Sequence, residues 1–341
     1  MNPSRKNSFL FLALGFFLVF LFLLNLSFGS VTIPIKAVFA SLSGGEVSKS
    51  TWEYIVLNYR LPKAITAVLV GMGLSVSGLL MQTLFRNPLA GPYVLGLSSG
   101  ASLGVAFVIL GAGFLPVFLH DIILSSYGIV LAATFGSTLV LLLVILVSQR
   151  LRDTMAILIV GLMFGSFTSA IVGVLTFFST AEQLQKFTFW SMGNLGSLSW
   201  TAISILSACV LIGLLLSLAS VKSLNTLLLG ENYAKSLGLN LAKVRLLIIF
   251  ATGILAGSIT AFAGPIAFIG LAVPHIAKLF FQTSNHAVLF WSTLLMGAAI
   301  LLLCDLLSQW PSDTALPINA VTSIVGAPVV IWLLIRKRNY H

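Results

Sequence analysis

Apolar runs long enough to cross a bilayer recur along almost the whole chain, and this repetition excludes a water-soluble fold of its size. A bilayer core about 30 Å thick needs roughly 20 apolar residues per helix. Only 8% of the residues are charged and 58% are hydrophobic, whereas a soluble domain carries about 25% charged residues. Barrel strands alternate apolar and polar residues over about 10 positions. Residues 9–28 and 128–147 are almost continuously apolar instead, so the fold class is an all-α polytopic membrane protein.

Gly, Pro and charged punctuation divides the runs into about ten spans, near 9–28, 61–85, 92–112, 122–148, 154–178, 195–219, 243–263, 266–281, 288–308 and 318–336. The eighth is short. The first follows Arg5 and Lys6, and it exceeds the 7 to 15 residues or so of a signal-peptide core, which reads as a retained span. With both termini in the cytoplasm, thirteen of the 18 basic residues face inward, as the positive-inside rule prefers. The charge of +10 is then a topological signal in a cell-membrane protein, with no nucleic acid as partner.

Chemistry inside the spans is sparse. Asp305 is the one carboxylate within a predicted span, near its outer end, and a mid-membrane charge costs about 2.5–3.5 kcal/mol on insertion scales. An ion-coupled carrier, the alternative reading, needs buried carboxylates or unwound helices with convergent polar groups. Covalent chemistry has no visible constellation either: His120, His275, His286 and His341 are scattered, and Cys209 and Cys304 lie in apolar runs. His275 reads as a hydrogen-bonded helix residue. No Gly-Lys pair occurs, so the phosphate-cradling G-x-x-x-x-G-K-[ST] loop is absent and the chain is not itself an ATPase. No catalytic, metal or cofactor-binding residue is predicted.

One polar stretch, 220–243, is too hydrophilic to span yet patterned for two short helices. Leu224, Leu227 and Leu228 repeat at helical spacing, then Tyr233, Ala234 and Leu237, with Gly230 between the two groups. Glu231 suits a helix start and Gly238 a C-terminal cap. By pattern alone such helices could also lie on the lipid surface. Gly71, Gly73, Ser75, Ser77 and Gly78 read as small residues for close helix packing.

Several stretches in a shared order carry a resemblance: Arg60-Leu-Pro-Lys63; Gly78-Leu-Leu-Met-Gln-Thr-Leu-Phe-Arg-Asn-Pro-Leu-Ala-Gly-Pro92; Leu95-Gly-Leu-Ser-Ser-Gly-Ala101; Leu229-Gly-Glu-Asn-Tyr-Ala-Lys-Ser-Leu-Gly238; residues 264–278; and Leu316-Pro-Ile-Asn with Gly326-Ala-Pro328. Together they resemble the FecCD-type permeases of ATP-binding-cassette (ABC) importers for iron-siderophores, haem and corrinoids. The resemblance implies type II ABC importer permease architecture, with residues 1–341 as a single transmembrane permease domain whose halves form an inverted repeat. It also implies a second permease subunit (homodimer or heterodimer), two cytoplasmic ATPase subunits that hold ATP and Mg, and an extracytoplasmic substrate-binding protein. The implied function is ATP-driven alternating access for a metal chelate. Ferric siderophore is favoured on family breadth, with haem or corrinoid as alternatives.

Site roles follow from the same resemblance. Leu228, Gly230, Glu231, Tyr233, Ala234, Leu237 and Gly238 match the segment that couples to the ATPase by helix-in-groove contact. Arg60 and Lys63, read as cations at a helix start on the outer face, match docking positions for the binding protein; headgroup contact or snorkelling is the plainer reading. Gln309 stands where family members often carry another Arg, a departure that removes one docking cation. Asn87, Pro88 and Leu89, with Asp153 and Thr154, match the cytoplasmic gate, although Asn87 and Pro88 also fit a plain helix cap.

Overall fold

A computed structural model describes residues 3–114, 123–150, 154–310 and 315–338. Among these, all regular structure is helical: α1 (Pro3–Ser27), α2 (Ile35–Ser43), α3 (Ser50–Ile55), α4 (Leu61–Leu84), α5 (Leu97–Ile109), α6 (Ser126–Arg150), α7 (Thr154–Phe177), α8 (Ala181–Ser191), α9 (Trp200–Leu228), α10 (Glu231–Ser236), α11 (Leu241–Ala263), α12 (Ile269–Phe281), α13 (His286–Ser308) and α14 (Ile318–Arg338). Seven helical stretches among the described residues are long and apolar enough to cross a membrane, and three shorter apolar helices begin at Leu97, Ile269 and Ile318. These ten correspond one to one with the predicted spans.

The helices wear their apolar side chains outside as well as inside. Phe16 on α1, Phe135 on α6 and Phe167 on α7 are 75%, 71% and 62% exposed. A monomer in water rarely shows such contiguous apolar faces, whereas lipid solvates them without cost.

Contacts divide the chain into two compact units. The first comprises Met1–Val76, Asn194–Ala208 and Ile266–His341. Here α13 packs against α1, α12 and α14. It also meets α4 at a glycine crossing, where a Cβ on Gly71 would strike the Gly297 carbonyl and a Cβ on Gly297 would strike Gly71 and Ser75. The predicted packing role of the small residues thus holds at Gly71 and Ser75. At 13 residues, α12 is only about 20 Å long at 1.5 Å per residue. The backbone before it is non-helical, and Asn319 on α14 accepts the Ala267 N–H at 3.0 Å, giving a donor a partner that no helix supplies.

The second unit comprises Ser77–Gly193 and Cys209–Pro265. Its centre is the short α5, packed by α6, α7 and α11. Ala101, Val105, Ala106 and Ile109 on α5 meet Ala133 on α6 and Ala261 on α11 in the core. Gly100 and Gly136 allow the α5 and α6 backbones to touch, since a Cβ on either would collide with the other's carbonyl.

Three features differ from the sequence-based expectation. The second span starts at Ser50 rather than 61: a 35-residue helical run continues to Leu84, with a π-helical segment at Val56–Arg60. Pro62 reads as a helix start, but in the widened turn that precedes it the proline ring and its missing N–H fit inside the run. Arg60 and Lys63 therefore do not lie at a helix N-terminus. Secondly, 220–228 is no separate helix, because α9 runs unbroken from Trp200 to Leu228. Ser217 and Ser220 return their hydroxyls to carbonyls of their own helix, each at 2.7 Å, so their polarity is satisfied within α9 and does not end it. Thirdly, α2, α3 and α8 lie outside the predicted spans. α8 carries a legible signature, a capping box between Thr180 and Gln183.

Candidate coupling and docking sites

Between α9 and α11 the chain makes a compact exposed projection. Gly230 has φ 111° and Gly238 has φ 82°, conformations that L side chains rarely adopt. These two glycines turn the chain into and out of the single-turn helix α10. Ala234 is fully buried and anchors α10 to its own unit, while Leu228, Tyr233 and Leu237 are 52%, 53% and 60% exposed. Glu231 opens α10 at the positive end of its dipole. Asn240 then caps α11, its Oδ1 accepting the Lys243 N–H at 3.1 Å. These three, together with Leu229 at 64%, thus stand out as large apolar side chains on a backbone braced on both sides.

The loop after α4 lies beside the base of this projection. Asn87 Oδ1 accepts the Leu89 N–H at 2.9 Å, and the Ala90 N–H reaches the Asn87 carbonyl at 3.0 Å, so Asn87, Pro88 and Leu89 form one closed turn. Arg86 sits at φ 47° and donates from Nη2 to the Leu227 carbonyl at 3.2 Å. That carbonyl, at the C-terminus of α9, also accepts the Gly230 N–H at 3.1 Å, so the cation adds a second hydrogen bond at the negative end of the helix dipole. Arg86 therefore links the predicted gate loop to the predicted coupling segment, a role sequence reasoning missed because a contact 141 positions away in the chain has no local signature. Thr154 opens α7; Asp153 lies outside the described residues.

In the first unit, Arg60 and Lys63 line a pocket of about 450 Å³ with Ser30, Tyr59, Asn194, Ser197 and Gln309. Arg60 is 8% exposed. Its guanidinium donates to the Leu26 carbonyl at 2.8 Å and to the Val31 carbonyl, which ties the loop after α1 to the helical run. Lys63 Nζ pairs with Asp305 Oδ1 at 2.9 Å, where the Lys63 side chain is 23% exposed and that of Asp305 only 2%. Gln309 Nε2 donates to the other carboxylate oxygen at 3.0 Å. The compensation that two cations on this face require thus comes from within the chain, and of the two Lys63 is the one at the pocket surface.

Asp305 is consequently committed to an ion pair. Breaking a sealed pair costs about 3–5 kcal/mol; Lys63 can turn to water, which discounts Asp305→Ala to about 1–3 kcal/mol. The purified permease should show a lower unfolding midpoint for Asp305→Ala, while Lys63→Met/Asp305→Leu should regain most of the loss. An unchanged midpoint in the single variant would show that the pair carries no stability.

Lipid-facing helices, broken short helices packed within each unit and an exposed projection define a polytopic transporter permease of type II ABC importer architecture. A solved metal-chelate-type ABC transporter in an inward-facing conformation has this fold, with a TM-score of 0.84 and 29% identity over 96% of this chain and 99% of that one. The chain belongs to the FecCD transport family, whose model matches residues 17–336. It is similar to the hemin transport system permease protein HmuU of Yersinia pestis, 36% identical over 96% of both chains. It is similar also to the vitamin B12 import system permease protein BtuC of Klebsiella pneumoniae, 36% identical over 91% of this chain and 93% of that one.

Proposed function

We propose that this chain is the membrane-spanning permease subunit of a binding-protein-dependent ABC importer, carrying a metal chelate by ATP-driven alternating access. The observation that carries the reading is the exposed apolar trio Leu228, Tyr233 and Leu237, held by buried Ala234 and two left-handed glycines. Such a rigid knob suits a groove on an ATPase subunit, which would bind ATP and Mg and perform the hydrolysis. The chain itself does no covalent chemistry. Residues 1–341 act as one permease domain, paired with a second copy or a sister permease. Both termini lie in the cytoplasm, the side on which α10 meets the ATPases.

An extracytoplasmic binding protein docks over the pocket at Lys63, with Arg60 holding the pocket wall. Gating falls to the Asn87–Leu89 turn, which Arg86 connects to α9, and to the residues at 153–154. The cargo is read as a metal tetrapyrrole, haem or a corrinoid, a reading supported by relatives named for hemin and vitamin B12.

Proteoliposomes holding the permease, its cognate ATPase and its binding protein test this directly. Haem or cobalamin should accumulate only with ATP. Uptake of a ferric siderophore alone would move the cargo assignment, and uptake that survives ATP depletion but collapses with the ion gradient would replace the importer reading by an ion-coupled carrier.

A further inference from the structure

A second pocket, of about 520 Å³, opens in the second unit where α6 ends, α10 stands and α11 begins, lined by Gln149, Glu231, Lys235, Lys243, Arg245 and Leu246. Three cations face one carboxylate there. The positive end of α11 adds to the potential, because its first turn forms part of the wall. The pocket is therefore an anion-attracting recess at the polar end of two spans.

Its apolar surroundings identify the anion. Leu246 is 41% exposed on the pocket rim, and one turn further into α11 Phe250 is 46% exposed. On α6, Leu142 and Leu146 are 55% and 60% exposed, and with Gln149 they fall on one helix face at spacings of four and three residues. The two helices pack side by side. A cationic recess thus continues into apolar stripes that run toward the membrane core. A free phosphate would use only the recess, and a soluble acidic protein would leave the stripes unmatched.

We propose that this groove holds one anionic phospholipid, its phosphate-bearing headgroup among Lys235, Lys243 and Arg245 and its acyl chains along Leu142, Leu146, Leu246 and Phe250. The bound lipid would brace α10 against α6 and α11, because Lys235 lies on α10 while Lys243 and Arg245 lie on α11. Nothing in this assignment depends on which side of the membrane the groove faces or on the cargo.

The test uses the full-length permease in nanodiscs of phosphatidylcholine and phosphatidylglycerol, transferred to detergent and read by native mass spectrometry. Wild type should retain phosphatidylglycerol in preference to phosphatidylcholine. Juxtamembrane lysines contribute about 1 kcal/mol each, or about fivefold in affinity. Lys235→Gln/Lys243→Gln should therefore weaken retention about 25-fold, whereas Lys235→Arg/Lys243→Arg, which keeps the charge, should retain the lipid. Equal loss of both lipids from wild type, or unchanged retention in the glutamine variant, overturns the proposal. So does displacement by an equal concentration of glycerol phosphate, which would mark an ion site only. Adding the ATPase subunits separates this site from the coupling contact: retention in the assembled complex supports the lipid site, and displacement assigns the groove to the ATPase.

Discussion

Leu237→Asp should release the ATPase from the permease without unfolding the permease. The residue is 60% exposed beside left-handed Gly238, so a carboxylate there meets water in the isolated chain and is desolvated only against a partner. Apolar anchors at interface hot spots contribute about 2 kcal/mol or more each, about 30-fold in affinity. Leu228→Asp should act the same way, and the two together should abolish ATP-dependent uptake. Ala234→Trp makes the contrast: Ala234 is fully buried, so a large ring there disrupts the segment's own packing and should lower the unfolding midpoint as well. Co-purification of the ATPase at wild-type yield with Leu228→Asp/Leu237→Asp would remove this projection from the coupling role.

Gly71→Ala should be among the most damaging single-methyl changes in the protein. The new Cβ would overlap the Gly297 carbonyl and the backbone of Ala298, and backbone, unlike a flexible side chain, cannot rotate away. Overpacking costs about 1–3 kcal/mol, occasionally more, and a clash between two helix backbones belongs at the upper end. Gly15→Ala is the matched comparison, because nothing lies within 4 Å of a Cβ there. In a helix interior that exchange should stabilise by roughly 0.5–1 kcal/mol. Thermal unfolding of the two purified variants should shift in opposite directions. Equal shifts would mean that the α4–α13 crossing is not a tight one.

Span positions were legible from composition because a bilayer imposes a long apolar run on every crossing helix, whatever its neighbours do. Helix ends were less legible. Pro62 and the charges near it read as the start of a helix that had already begun at Ser50, and Ser220 read as an end where α9 continued to Leu228. In both cases the backbone hydrogen-bond ladder outlasted the polarity change. The exposed projection was readable at Gly230 and Gly238, whose positive φ the residue type permits, and at the leucines around them. Arg60 and Lys63 were readable only as cations in an unusual place. That one turns inward to carbonyls and the other pairs with Asp305, more than 200 positions away in the chain, has no local signature.

The amino-acid order alone determined that this is a membrane protein of about ten spans and where its polar projection lies. Each of these depends on neighbours within a few turns or on lipid as the solvent. Tertiary structure decided which helices meet and which charges face each other, including the Gly71–Gly297 crossing, the Arg86 link to α9 and the Lys63–Asp305 pair. Those contacts join distant segments through interactions of a few ångströms, and only the folded chain brings their atoms within that range.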